Sequence, residues 1–146
     1  MITFSAKVKS AIRLEGERAY PDECCGVLLG RFGEDENCGE AMEIFPVSNG
    51  REAEEQYHRF VIQPDDFMKV EMEARGRGLD VLGFYHSHPD HPALPSDYDR
   101  EHALPFYFYV ILTVEKGQAR TLTGWKLAAD RARFIQKPLN EGGDML

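Results

Sequence analysis

A short apolar run, Val81-Leu82-Gly83-Phe84-Tyr85, passes directly into His86-Ser87-His88-Pro89. The run has the length and composition of a buried core strand, so the fold must contain a sheet with this strand inside it. Side chains on a strand alternate between faces, so His86 and His88 project to one side if the extended backbone continues. Ser96-Asp97-Tyr98-Asp99 follows seven residues after His88. Two imidazoles, a hydroxyl and a carboxylate are thereby brought close together just beyond a core strand.

The rest of the chain supplies strands and helices in alternation. Residues 5–19 read as a helix: Ser5 can cap it, Val8, Ala11, Ile12 and Ala19 fall near one stripe, and Pro21 ends it. Cys25 to Leu29 reads as a strand closed by Gly30, with Glu23 at its entrance. Residues 33–40 form an acidic turn, and Ala41 to Val47 a second strand. A further strand is expected around Tyr57–Ile62. Pro64-Asp65-Asp66 starts a helix with its acids at the positive dipole end, Phe67, Val70 and Ala74 form its apolar face, and Gly76 and Gly78 stop it. After the strand at 80–86 come a short helix from Ser96, a strand at Phe106–Val114, and strand-like segments at Arg120–Leu127 and Arg133–Gln136. Strands interleaved with helices indicate an α/β fold, a single domain with a mixed β-sheet flanked by helices. The domain is expected to span 1–138, with 139–146 a flexible C-terminal tail.

The 146 residues suffice for one domain with a real core and no disulfides. No window approaches the apolar length of a membrane helix, and the N-terminus lacks the layout of a signal peptide, so no membrane partner is expected and the cytoplasm is the expected location. A net charge of −8 repels phosphate backbones and argues against nucleic acid as a partner. Of the three cysteines, Cys24 and Cys25 are adjacent and poorly placed for bridging each other, which fits a reduced compartment. Burial as core filler beside a site is the simpler reading of that pair.

Two imidazoles and a carboxylate make a three-ligand set of the kind used for catalytic zinc, with one position left for water. Each piece also has a plain structural reading. His-x-His alone is equally two polar histidines in a loop, and Ser96-x-x-Asp99 is equally a capping box at a helix start. A capping serine and a ligating aspartate are compatible, because the cap fixes the first turn from which the carboxylate projects. Pro89, Pro92 and Pro95 stiffen the intervening loop. His91 in that loop is expected at the surface; His58 and His102 are spare candidates.

Taken jointly, His86-x-His88, seven residues, Ser96-x-x-Asp99, with the upstream Pro21-Asp22-Glu23-Cys24-Cys25-Gly26-Val27-Leu28-Leu29-Gly30, resembles the JAMM/MPN+ metalloproteases. The upstream stretch resembles that family's Glu-x-x-Gly strand start, in the form written by short stand-alone bacterial and archaeal members. The resemblance covers nearly the whole chain, including Asn49 and the Phe60–Pro64 junction, and lacks only the long insertions of larger eukaryotic members. It implies the JAMM/MPN fold, which is cytidine-deaminase-like. It implies His86, His88 and Asp99 as ligands of one catalytic Zn2+, Glu23 as the general base acting on a water, and Ser96 as a hydrogen-bond donor to the oxyanion. The implied activity is a zinc-dependent peptidase or isopeptidase cutting after the C-terminal Gly-Gly of a ubiquitin-like β-grasp protein, here a sulfur carrier. Such a tail can thread a narrow channel and pair with a strand edge. The 50–62 segment, with Tyr57 and Phe60 as walls, is the expected edge, although ordinary strand packing accounts for those residues equally well. The alternatives are a non-catalytic MPN scaffold that only binds proteins, and a zinc amidohydrolase with a small-molecule substrate. A zinc nucleoside deaminase is excluded, because it needs a Cys-x-x-Cys that this chain lacks. The chain's own Gly142-Gly143 reads as part of a disordered end rather than a self-cleaved tail.

Overall fold

In a computed structural model, which describes residues 1–35, 37–47 and 64–140, the expected core strand is longer than its apolar run. It spans Asp80–Pro89 and carries both histidines inside it. In chain order the elements are β1 (Ile2–Phe4), α1 (Ala6–Ala19), β2 (Cys25–Phe32), β3 (Gly39–Val47), α2 (Pro64–Gly76), β4 (Asp80–Pro89), α3 (Asp97–His102), β5 (Phe108–Glu115), β6 (Gln118–Leu127), β7 (Phe134–Lys137) and β8 (Leu139–Asn140). Among the described residues the strands form one sheet, ordered β7-β6-β5-β4-β2-β3-β1-β8. β4 runs parallel to β5, and β1 runs parallel to both β3 and β8. The other pairs are antiparallel, which gives the mixed sheet expected from the sequence.

Both faces of this sheet are covered, which explains why its central strands are apolar without a break. On one face Val8 and Ile12 of α1 pack with Leu28, Tyr85, Val110 and Leu112. On the other, Val70 and Ala74 of α2 pack with Val27, Leu29, Phe84, Tyr109, Ile111 and Trp125. Neighbouring residues of one strand thus belong to different cores, as a period of two requires. α1 begins as its sequence indicates: the Ser5 hydroxyl accepts the Val8 N–H at 3.2 Å, and the helix ends before Pro21.

Gly30 does not close its strand. β2 continues to Phe32, and the β2–β3 register shifts between Leu29 and Gly30. A Cβ on Gly30 would lie 1.9 Å from the Glu40 carbonyl oxygen, so this glycine permits a bulge where two backbones approach closely. The tail boundary also moves. Leu139 and Asn140, expected to begin a flexible end, form β8 beside β1. Only Pro138 separates β7 from β8, yet they stand at opposite ends of the strand order, so the sheet curls until its ends meet. The seam is tight. Ile2 N–H donates to the Pro138 carbonyl at 3.0 Å, and a Cβ on Gly124 of β6 would strike Leu139 and Ile2 at 2.6 and 2.8 Å.

Candidate active site

The register of β2 against β4 builds the site. Cys25 pairs with His86. One step outward, Cys24 N–H donates to Ser87 Oγ at 2.8 Å and Ser87 N–H donates to the Cys24 carbonyl at 3.1 Å. The next step places Glu23 opposite His88, and cross-strand partners share a face. Glu23, His86 and His88 are accordingly all buried, with a carboxylate oxygen and two ring nitrogens within 4.8 Å of one another.

Asp99 arrives from the first turn of α3. Ser96 is the N-cap of that helix: its hydroxyl accepts the Asp99 N–H at 3.0 Å, and its own N–H donates to Asp99 Oδ2 at 2.9 Å. This closed capping box aims the carboxylate at the two rings. Asp99 Oδ1 lies 3.4 Å from His86 Nε2, Oδ2 lies 3.3 Å from His88 Nε2, and the two Nε2 atoms are 3.0 Å apart. Ligand atoms bound tetrahedrally at ~2.05 Å stand about 3.3 Å from one another, so these donors fit around a single small cation.

Hydrogen bonding and burial prepare the donors for that role. His88 turns Nδ1 to the Pro92 carbonyl, 2.8 Å away, which places the proton there and leaves the Nε2 lone pair facing Asp99 and His86. Burial pushes the His86 imidazole below its ordinary pKa, against the pull of Asp99. Burial works to raise the Asp99 carboxyl, but His86, His88 and the Ser96 N–H together hold it well below the usual carboxylate range. Neutral imidazoles and a carboxylate are the form in which such a set would bind a metal ion.

The loop between the histidines and Ser96 is fastened by more than its prolines. Thr113 Oγ1 donates to the His91 carbonyl at 2.9 Å, and Thr123 Oγ1 donates to the Ala93 carbonyl at 2.6 Å. These threonines, on β5 and β6, have no motif that would mark them in the sequence; their role comes from lying on the sheet face under the loop. Ser87 was equally silent as the middle residue of His-x-His, although its parity already placed it on the opposite face from the two rings. His91 is exposed, as expected, and so is His102, whose Nδ1 faces the Tyr98 carbonyl. Cys24 and Cys25 are buried and unbridged, and burial pushes each thiol up to about 12, so neither offers a thiolate. His58, Asn49, the 50–62 edge with Tyr57 and Phe60, and Gly142-Gly143 lie outside the described residues.

Residues 5–128 match the family model described as prokaryotic homologs of the JAB domain. A curated relative, desampylase from Haloferax volcanii, is 37% identical over 92 residues, and the match spans 62% of each chain's length. Among solved structures, a Salinibacter ruber protein is 36% identical at a TM-score of 0.75, covering 98% of this chain and 93% of that one. A Desulfitobacterium hafniense protein has a TM-score of 0.82 at 25% identity, covering 95% and 91%. A JAB1/MPN domain protein from Archaeoglobus fulgidus, 18% identical with a TM-score of 0.55, covers 97% and 100% and shares the fold. Among the described residues no helix is long and apolar enough to cross a membrane. With a matching family model over most of its length and the same sheet architecture, the chain belongs to the prokaryotic JAB-domain family.

Proposed function

We propose that the protein is a zinc-dependent peptidase or isopeptidase that releases a ubiquitin-like carrier or modifier by hydrolysing the amide after its C-terminal Gly-Gly. The observation that carries this reading is the convergence of Glu23, from a segment more than sixty residues away in sequence, on His86 and His88, which Asp99 also reaches. The curated relative's name, desampylase, is that of an enzyme removing a ubiquitin-like modifier, and it points to the same substrate class.

His86, His88 and Asp99 would hold the ion. Bound there, zinc would polarise the scissile carbonyl and bring the pKa of a water to about 7. Glu23 offers a carboxylate oxygen within 4.8 Å of the imidazole nitrogens, a span that one water could bridge through contacts of roughly 2–2.8 Å. Its carboxylate takes the proton from that water as the C–O bond forms, and returns it to the nitrogen as the C–N bond breaks. Ser96 already accepts the Asp99 N–H through its oxygen, which leaves its hydroxyl proton to be donated to the carbonyl oxygen as negative charge would develop there. Glycines suit the cleaved tail because a backbone without side chains can lie against a buried centre.

The test is to mix the purified, zinc-loaded protein with small β-grasp proteins whose Gly-Gly tails are joined to a peptide or lysine amide, and to follow cleavage by mass spectrometry. Cleavage after the second glycine is expected from the wild type. Glu23→Gln should keep its zinc and lose turnover. A fully active Glu23→Gln protein would show that another group is the base, and a wild type that cleaves none of these amides would refute the substrate class.

A further inference from the structure

Glu23 lies in the connection between α1 and β2, and both ends of that connection are tied to the β4 segment that carries the histidines. At the inner end, Cys24 exchanges hydrogen bonds with Ser87, between the two ligand positions. At the outer end, the Tyr20 hydroxyl donates to Asp90 Oδ2 at 2.5 Å. Asp90 is itself held firmly. Its Oδ1 accepts the Lys116 N–H at 2.8 Å and its own N–H donates to the Val114 carbonyl at 2.8 Å. Its φ of 56° lies in the left-handed region that Asp tolerates better than most residues, and it turns the chain just past His88-Pro89. One carboxylate therefore joins the end of α1, the end of β4 and the β5–β6 turn.

We propose that Tyr20 and Asp90 are positioning residues for Glu23, an inference that rests on the hydrolytic reading above. The segment from Tyr20 to Glu23 is tied to α1 by the Asp22 N–H, which donates to the Ala19 carbonyl at 2.9 Å, and to β4 through Cys24 and Ser87. With a second anchor at Asp90 it is stretched between two fixed points on one strand, and the carboxylate stays opposite His88. The requirement is strict, because proton transfer needs hydrogen-bond reach and a displacement of about 1 Å can cost on the order of 10²-fold in rate. Neither residue belongs to the set of Glu23, His86, His88 and Asp99. Their effect passes through backbone placement.

The experiment compares wild type with Tyr20→Phe, which removes one oxygen, Asp90→Gly, which keeps the left-handed turn, and the double variant. Amide hydrogen exchange is read at Asp22, Glu23 and Cys24, together with kcat, KM and bound zinc. Faster exchange at these amides in both single variants, with exchange in the 81–88 part of β4 unchanged, is expected. So is a kcat lowered roughly ten-fold or more, with KM and zinc stoichiometry retained and the double variant no worse than Asp90→Gly. Asp90→Asn should recover part of the loss. Unchanged exchange overturns the proposal, and so does a kcat that stays at the wild-type level or falls only in step with zinc loss. A wild type that hydrolyses nothing refutes the functional reading alone, since the exchange data still decide whether the two anchors hold the segment.

Discussion

Replacing Ser87 by alanine removes one oxygen from the middle of His86-Ser87-His88 without altering either ring. Ser87 is fully buried, and its hydroxyl is the partner of the Cys24 backbone N–H at 2.8 Å. The variant leaves that N–H buried without its acceptor, which costs about 1–3 kcal/mol. Scaling the usual unfolding entropy of ~2.1 cal/mol/K per residue to this chain gives about 0.3 kcal/mol/K, so the melting temperature should fall by roughly 3–10 °C. The side chain sits beneath α1, where a Cβ built on Gly16 would be 3.7 Å from Ser87 Cβ, so alanine fits without a clash and the loss is attributable to the hydrogen bond. Differential scanning calorimetry with saturating zinc in both samples measures the shift, and metal analysis should show stoichiometric zinc in both. A shift under about 1 °C would mean that the Cys24 N–H finds another partner, and that the β2–β4 link does not hold the Glu23 segment as described.

Dialysis against a chelator should lower the melting temperature and returning zinc should restore it, by about 4 kcal/mol of stability at free zinc a thousand-fold above Kd; an unchanged melting curve would count against a metal centre. Burial holds the Glu15 carboxyl above its ordinary value of 4.5, with the bonded Tyr85 hydroxyl pulling the other way. A raised folded-state pKa means that stability is gained as pH falls through it and is complete below 4.5, so wild type should gain on Glu15→Gln in urea melts as pH drops from 7 towards 4.5. A difference independent of pH would refute this. Gly83→Ala puts a Cβ 2.0 Å from the Phe108 carbonyl oxygen, a backbone atom that cannot step aside, and should yield little folded protein. Gly16→Ala meets side-chain methyls of Leu112 and Val114 at 2.6 and 3.0 Å and gains about 1 kcal/mol of helix propensity, so it should be much the milder of the two in yield and melting temperature.

Local chemistry explains which parts of the fold could be read from the chain alone. α1 and α2 announce themselves through Ser5, Pro21, the paired acids at 65 and 66 and the glycines at 76 and 78, all of which act on the backbone within a turn of where they stand. β1 and β8 do not. Three residues and two residues carry no periodicity, and these strands exist because the curled sheet has an open slot between β3 and the returning chain at Pro138. Gly30 was legible as a backbone exception but not as the kind of exception, because a strand stop and a bulge make the same demand for a missing Cβ. What separates them is the Glu40 carbonyl, supplied by another strand.

The candidate site divides along the same line. Ser96-x-x-Asp99 reads as a helix cap, and the cap is present in full; the same hydrogen bonds that satisfy the helix start aim Asp99 at the imidazoles, so the structural and the chemical reading describe one object. Glu23 is different. Parity places it on one of two faces of the chain entering β2, but only the pairing of Cys25 with His86 puts that face beside His88, and no local pattern fixes a register across sixty residues. A slip of a single residue would turn Glu23 toward α1 and seat a cysteine thiol beside the rings instead. The register is held against that slip by Ser87 and Cys24 on the α1 face, by Val27 and Leu29 in the opposite core, and by the Tyr85 ring lying where a Cβ on Gly26 would be. The placement of the acid is thus a property of the whole β2–β4 pair, and changes in the middle of that pair should reach the carboxylate without touching it.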